Sequence, residues 1–321
     1  PVDEGGAFRD LTLVALVGIR DEVRPEARAS VEEVQRAGVQ VVMITGDNAQ
    51  TAAAIAREIG LLKGDDAQAV LTSQEMADMT DAALIRRLPR LRVVARALPT
   101  DKSRLVRLCQ ELGLVVGMTG DGINDAPALK RADVGFSMGS GTEVAKEAGD
   151  IVILDNNIAS IQKAILYGRT IFKSIRKFIV FQLTMNLCAV GISILGPLIG
   201  VDTPVTVIQM LWINIIMDTL AGLAFAGEPP LAEYMKEPPK RRDEPVLNGY
   251  MAHQIVYMGV FTIALFIMFL KMENFKLLFG FYRDPVYFMT AFFALFIFCG
   301  VFNSFNARTR RILRQLVVDL I

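Results

Sequence analysis

The sequence has 321 residues, of which 52% are hydrophobic and 21% charged, and its 34 Lys and Arg residues balance 34 Asp and Glu residues. Its mean hydropathy of +0.39 is too high for an ordinary soluble domain. The zero net charge argues against a nucleic-acid partner, because bulk electrostatic binding to phosphates needs an excess of Lys and Arg. Three widely spaced cysteines form no CxxC pair, so neither a disulfide framework nor a thiolate metal site is indicated.

The charges are segregated along the chain. Of the 68 charged residues, 47 lie in residues 1–177, whereas residues 178–227 contain only Asp202 and Asp218. A charged front half is therefore joined to an apolar back half. The chain opens with neither a secretory signal nor a methionine, which suggests a fragment or a processed chain.

Apolar runs alternate with helical patterns throughout the front half, which predicts an α/β fold with a parallel sheet and helices on both faces. The predicted strands cover residues 11–19, 39–44, 92–97, 114–119, 134–137 and 151–154. The predicted helices between them cover residues 25–37, 51–62, 102–112 and 126–131.

Polar residues follow four of these strands at their carboxyl ends, where ligands bind in sheets of this kind. They are Asp21, residues 45–48, Arg96 and residues 119–125. Taken singly, each of these polar segments contains residues that are common in turns and needs no functional explanation. Because four segments fall at the same end of successive strands, we expect them to converge at one edge.

The residue types at that edge suit phosphoryl transfer. Asp121 and Asp125 are neighbouring carboxylates that a hard cation such as Mg²⁺ would neutralise. Thr45 can donate a hydroxyl to a phosphoryl oxygen, the turn that follows it offers backbone N–H groups, and Lys102 adds a positive charge.

Four segments carry a family resemblance: 18–26 (GIRDEVRPE), 43–48 (MITGDN), 95–106 (ARALPTDKSRLV) and 118–157, which begins MTGDGINDAPALK. They resemble the phosphorylation domain of P-type cation-transporting ATPases. The resemblance implies a haloacid-dehalogenase-like, Rossmann-like sheet in which Thr45 contacts the transferred phosphate, Lys102 stabilises it and Asp121 holds Mg²⁺. The residues assigned on this basis are, for catalysis, Thr45, Gly46, Asp47, Lys102, Asn124 and Asp125; for cofactor binding, Asp21, Arg24 and Arg96; and for Mg²⁺, Asp121 with Asp125 nearby.

The sequence also departs from that family's pattern. It contains no Asp-Lys-Thr-Gly-Thr phosphorylation loop, and the family's nucleotide-binding domain, actuator domain and first four membrane helices would precede it. The resemblance therefore implies a C-terminal portion whose partners are the N-terminal portion of the same pump, ATP held mainly by the nucleotide domain, and a lipid bilayer. Alone, this portion is expected neither to accept phosphate from ATP nor to transport.

The back half contains four apolar segments that we predict to be membrane spans, at residues 178–199, 205–226, 251–270 and 286–303. The predicted organisation is a partial phosphorylation domain (1–157), a stalk helix (158–177), a membrane region (178–307) and a basic tail (308–321). Lys and Arg cluster before the first span, between the second and third, and after the fourth, so the positive-inside rule places the phosphorylation domain in the cytoplasm. The Phe-rich run 288–305 is interpreted as lipid-facing.

Polar side chains within the spans are candidates for a cation site. Asp218 is the only acid in any span, and Asn214 precedes it by four residues; Gln182 and Asn186 repeat that spacing in the preceding span. The amides alone would suit hydrogen bonds between helices, whereas a carboxylate in hydrocarbon requires a cation or a proton.

Residues 181–190 and 209–230 resemble the fifth and sixth helices of calcium pumps, most closely the plasma-membrane type. The resemblance implies that Asn186, Asn214 and Asp218 bind the transported Ca²⁺. Where two-site calcium pumps place oxygen ligands, this sequence has Ala189, Met217 and Gly300, which implies one calcium per cycle. Two alternatives stay open: a pump of the same class for Mn²⁺ or another cation, and a non-catalytic membrane-anchored fragment or subunit.

Overall fold

The computed structural model describes residues 12, 14–15, 22–64 and 66–308. The site candidate Asp21, the tail after Arg308 and most of the predicted strand at 11–19 lie outside these residues. The chain divides into two compact units, one formed mainly by the residues up to Ala159 and the other mainly by those from Ser160 onward.

Parallel strands and the helices between them form the first unit. Its strands are β1 Met43–Ile44, β2 Val70–Thr72, β3 Val93–Ala95, β4 Gly117–Gly120, β5 Val134–Met138 and β6 Ile151–Ile153. Its helices are α1 Ala27–Arg36, α2 Ala49–Glu58, α3 Ser73–Asp78, α4 Asp81–Arg87, α5 Pro99–Glu111, α6 Ala126–Arg131 and α7 Glu143–Ala148.

The described strands pair as two parallel three-stranded sheets, in the orders β1-β3-β2 and β4-β5-β6. The parallel α/β class is as predicted; these two sheets contain only strands from the described residues, so whether they belong to the one sheet that the sequence indicated is not decided by them. The sequence also missed β2, α3, α4 and α7, because these elements are too short for a clear periodic signal. Every residue of β3 is buried, as expected for a central parallel strand covered on both faces.

Polar caps set where several of these helices begin. The side chain of Asn48 accepts the N–H of Thr51 at the start of α2, and that of Thr142 accepts the N–H of Ala145 at the start of α7. Both caps lie in loops that follow strands, so they direct each helix away from the carboxyl end of a sheet.

Long apolar helices form the second unit. They are α8 Ile158–Leu198, α9 Val207–Trp212, α10 Asp218–Ala226, α11 Gly249–Lys271, α12 Glu273–Leu278 and α13 Pro285–Arg308. Residues Ile213–Met217 form a π-helix that joins α9 to α10. Within the described residues, four helices are long and apolar enough to cross a membrane: Ile158–Leu198, Val207–Ala226, Gly249–Lys271 and Pro285–Arg308.

Small residues allow α8 and α11 to approach closely. A Cβ added to Gly191 would lie 2.4 Å from Ile263, and one added to Gly259 would lie 2.5 Å from Leu187. Two glycines on facing helices thus each receive a large aliphatic side chain, a common packing arrangement in membranes.

The aromatic run on α13 is not simply lipid-facing, which corrects the sequence interpretation. Phe288, Phe292 and Phe296 recur every four residues and are almost completely buried, whereas Phe298 and Phe302 are exposed. The spacing places the first three on one helix face, where they pack in the core of the helical unit.

Candidate functional site

The turn after β1 holds three of the predicted catalytic residues. The hydroxyl of Thr45 donates to Asp47 Oδ2 at 3.0 Å, and the backbone N–H of Asp47 donates to Thr45 Oγ1 at 3.1 Å. Gly46 lies between them, and a Cβ placed there would meet no other atom within 4 Å. The turn is therefore closed by its own side chains and has open space beside its central residue.

Backbone hydrogen bonds hold this turn against the end of β3. The N–H of Thr45 donates to Val94 O, the N–H of Ala97 donates to Thr45 O, and the N–H of Arg96 donates to Asp47 O. Arg96 has a φ of +51°, a left-handed conformation that is uncommon for a residue with a side chain. The segments after β1 and β3, which we expected from the sequence to converge, are in direct contact.

Lys102 and Asp125 form an ion pair between α5 and the loop after β4. Lys102 Nζ lies 2.5 Å from Asp125 Oδ1, and the two side chains are 18% and 9% exposed. The other carboxylate oxygen, Oδ2, accepts the N–H groups of Asp121 and Gly122 at 3.2 Å each. Both oxygens of Asp125 are thus engaged by donors within the protein.

The pKa of Asp125 reflects these surroundings. Burial by itself would raise it, but the hydrogen bond and positive charge of Lys102, together with the N–H groups of Gly122 and Asp121, outweigh burial and lower the pKa. The carboxylate therefore stays ionised at neutral pH.

Gly120 permits this arrangement. A Cβ at this position would lie 2.3 Å from the Cβ of Asp125, closer than any two such atoms approach. The glycine before Asp121 is therefore required by packing against Asp125, a reason that the Gly-Asp spacing alone does not reveal.

Asp121 differs from Asp125 in exposing its side chain. Its backbone carbonyl accepts the N–H of Thr142 at 2.8 Å, and a Cβ on Gly141 would lie 2.8 Å from the same oxygen. The loop before α7 therefore braces the Asp121 backbone while leaving the carboxylate accessible. Sequence reasoning assigned no role to Gly141 and Thr142, because their contact with Asp121 spans some twenty positions of the chain.

The described residues fit a site for Mg²⁺ that is shared with phosphate. They contain no cluster of three or more His, Cys, Asp or Glu side chains suited to a metal. Mg²⁺ commonly binds one or two carboxylates and completes its shell with water and phosphate oxygens. Asp121 is available for that contact, whereas Asp125 is already neutralised by Lys102. Asn124 is exposed in the Ile123–Asp125 turn, and Arg24 is exposed just before α1.

In the helical unit, the structure brings together a different pair from the one that the spacing suggested. Gln182 Nε2 donates to Asp218 Oδ2 at 2.5 Å, linking α8 to the start of α10. Asn186 and Asn214 are exposed. The sequence paired Gln182 with Asn186 and Asn214 with Asp218 by their spacing, but the contact observed joins Gln182 directly to the acid.

The π-helix changes the geometry immediately before Asp218. Its hydrogen bonds run from residue i to i+5, so Asn214 and Asp218 do not align as they would in an α-helix. Single π-turns within α-helices frequently mark functional sites. The π-helix thus changes the offset between Asn214 and Asp218, and their shared helical face stays a prediction.

The basic residues before the first span have partners in the segment between the second and third spans. Lys173 Nζ lies 2.5 Å from Glu237, and Arg176 donates to Glu244 at 3.0 Å. Lys177 pairs with Glu228, which also accepts from Arg308 at 2.9 Å. Charges that the sequence used only to assign topology thus bind α8 to this segment and to α13.

Comparison with known proteins agrees with this organisation. Residues 202–318 match the family described as cation transporting ATPase, C-terminus. Residues 3–133 match haloacid dehalogenase-like hydrolase, and a second family of the same description matches residues 105–165. The fold and site thus define a haloacid-dehalogenase-like domain followed by the C-terminal domain of a cation-transporting ATPase.

Several curated proteins resemble nearly the whole chain. The putative calcium-transporting ATPase 13, plasma membrane-type, of Arabidopsis thaliana is 43% identical over 303 residues, which cover 93% of this chain and 29% of the relative. The plasma membrane calcium-transporting ATPase 3 of Homo sapiens is 40% identical over 326 residues, which cover 95% of this chain and 27% of the relative. The chain belongs to the P-type cation-transporting ATPases and spans less than a third of the length of these relatives.

Among solved structures, a zinc-transporting PIB-type ATPase in the E2.Pi state is 30% identical to this chain over a match that covers 68% of this chain and 29% of that one, with a TM-score of 0.46.

With its four apolar helices and its plasma-membrane-type relatives, the protein is a multi-pass membrane protein, and its haloacid-dehalogenase-like domain is cytoplasmic, as the positive-inside rule predicted.

Proposed function

We propose that this chain is part of a P-type pump that couples ATP hydrolysis, through an aspartyl phosphate, to the export of calcium across a membrane. The observation that carries the proposal is the ion pair of Lys102 on α5 with Asp125 in the loop after β4, beside Asp121, in a chain that also holds an acid within an apolar helix. The 40–43% identity to calcium-transporting ATPases supports calcium as the transported ion.

Each residue at the sheet edge has a definite task in this proposal. Thr45 and the backbone of its turn would donate hydrogen bonds to phosphoryl oxygens, and Lys102 would contribute positive charge where negative charge develops. Asp121 would hold Mg²⁺, which when bound supplies charge that neutralises the phosphate oxygens. Asp125 would position Lys102 through their ion pair, while Arg96 after β3 and Asn124 after β4 would add polar groups to the site.

The transported ion would bind at Asp218 with Asn186 and Asn214. One calcium per cycle is supported by the packing around Gly300. A Cβ on Gly300 would lie 2.6 Å from Cε and 2.9 Å from Sδ of Met217. A thioether therefore fills the space beside the position where two-site pumps place an acid, and it is a poor ligand for a hard cation.

The test uses the complete protein that contains this chain, with phosphorylation from labelled ATP measured against calcium concentration. We expect calcium to stimulate a hydroxylamine-sensitive phosphoenzyme and Asp218→Asn to abolish that stimulation. Asp202→Asn is the matched control, because Asp202 is the only other acid in residues 178–227 and lies in an exposed loop. Unchanged calcium dependence in Asp218→Asn would remove this residue from the ion site.

The alternatives are separate outcomes of the same experiment. Stimulation by Mn²⁺ but not by Ca²⁺ would replace calcium as the cargo, and a ratio of two calcium ions per ATP would contradict the single site. A complete protein that forms no phosphoenzyme with any cation would favour the non-catalytic reading. The 321-residue chain by itself is expected to form none, and a labelled aspartyl phosphate on it would refute that expectation.

A further inference from the structure

The contact between Gln182 and Asp218 leaves one half of the glutamine amide without a partner. The Nε2 group donates to Asp218 Oδ2 at 2.5 Å, whereas Oε1 is buried and has no hydrogen-bond partner. In the described part of the chain, the other two buried side-chain polar atoms without partners are Arg176 Nε and Asn303 Nδ2, which are both nitrogens. The unpaired oxygen is therefore the one that lies beside the membrane acid.

A buried acceptor without a donor is destabilising, so its presence at this place calls for a physical reason. Oxygen is the atom that hard cations bind. The amide nitrogen, by contrast, occupies the position beside the carboxylate that a cation would take. Because rotation by half a turn about the last side-chain bond exchanges the two atoms, the same residue can present either one to Asp218.

We propose that Gln182 is a further ligand of the transported cation and that its amide nitrogen occupies the place of the cation beside Asp218 when the ion is absent. Without the ion, the Nε2 group donates to the carboxylate and satisfies it. When the ion arrives, the amide turns and offers Oε1 as a ligand beside Asp218. This inference rests on the proposed function, since it assigns a residue to the ion site of that pump.

Three substitutions in the complete protein test this role. Gln182→Met is similar in length but offers neither an N–H donor nor a hard oxygen, whereas Gln182→Glu keeps an oxygen at the same reach. Thr184→Val is the matched control, because Thr184 is buried on the same helix but donates only to the carbonyl of Val180 in its own helix. The readouts are the calcium concentration that gives half-maximal phosphoenzyme and the maximal level reached.

We expect Gln182→Met to raise the half-maximal calcium concentration by roughly 10–100-fold, the loss typical when a partner of a metal site is removed. The maximal level at saturating calcium should stay within about twofold of the wild type. Gln182→Glu should lie within a few-fold of the wild type, and Thr184→Val should not change the half-maximal concentration.

A purely structural hydrogen bond predicts a different order. Glutamate would then place a second carboxylate against Asp218 and would be no better than methionine. An unchanged half-maximal concentration in Gln182→Met, or a glutamate variant as weak as the methionine variant, would overturn the inference.

Phosphorylation by inorganic phosphate without calcium reports whether each variant is folded. If Gln182→Met is not folded, Gln182→Asn replaces it, because its amide is one methylene shorter and cannot reach the same position. An unchanged half-maximal concentration in that variant would also overturn the inference. The proposed function is judged by the wild type alone: a wild type without cation-dependent phosphoenzyme refutes it, whatever the variants do.

Discussion

The ion pair between Lys102 and Asp125 should be a main source of stability for the loop after β4. The substitution Lys102→Met keeps the length of the side chain but leaves Asp125 in a 9%-exposed position without its counter-charge. Breaking a buried pair by removing one partner costs about 3–5 kcal/mol. Two backbone N–H groups still bind the carboxylate, which places the expected loss at the lower end, about 3 kcal/mol.

Amide hydrogen exchange of the detergent-solubilised chain measures this loss where it occurs. Because about 1.4 kcal/mol corresponds to a factor of ten, exchange in β4 and α6 should accelerate by roughly 100-fold in Lys102→Met. Lys146→Met is the control, since Lys146 pairs with Glu143, whose side chain is 83% exposed, and such a pair contributes roughly 0–1 kcal/mol. Equal exchange rates in the two variants would refute the reasoning.

The dependence of this stability on pH follows from the lowered pKa of Asp125. Burial opposes the lowering, but the bonds from Lys102 and the backbone outweigh it. A carboxyl whose pKa is lower in the folded state stabilises the fold above the unfolded value, about 3.9, and loses that contribution as the pH falls through the folded value. The difference between wild type and Lys102→Met should therefore shrink in acid, and a constant difference down to pH 2 would contradict this assignment.

Two further predictions concern packing, and hydrogen exchange of the same chain checks both. Gly120→Ala should destabilise the first unit by several kcal/mol, because the added Cβ would overlap Asp125. The control Gly168→Ala, on α8, meets open space and should stabilise its helix by about 0.5–1 kcal/mol. Similar effects in the two variants would contradict the packing argument. Leu129→Ala should lower the free energy of unfolding by about 2–5 kcal/mol, because Leu129 is completely buried in the core beside α7. The control Val144→Ala, at a position that is 46% exposed, should lower it by less than about 1 kcal/mol. An equally small loss in Leu129→Ala would show that the site collapses around the lost volume.

Several features of this protein could be predicted from the sequence because their signals are local. Parallel strands alternating with helices, and spans of about twenty apolar residues, each depend on neighbouring positions. The TGDGIND segment carries its family resemblance within seven residues and indicates where the carboxylates of the sheet edge lie. Short elements escaped this reasoning, as the three-residue strand β2 shows.

Tertiary structure decided which of the candidate residues meet. Lys102 and Asp125 are 23 positions apart, and Gln182 and Asp218 are 36 apart, so no local period connects them. In the membrane half, spacing along the helix paired Asp218 with Asn214, whereas the contact that the structure shows joins Asp218 to Gln182 on α8. The sequence determined which chemical groups are present and on which elements they lie, whereas their partners depended on the packing of separate elements, because ion pairs and hydrogen bonds require contact in space rather than proximity along the chain.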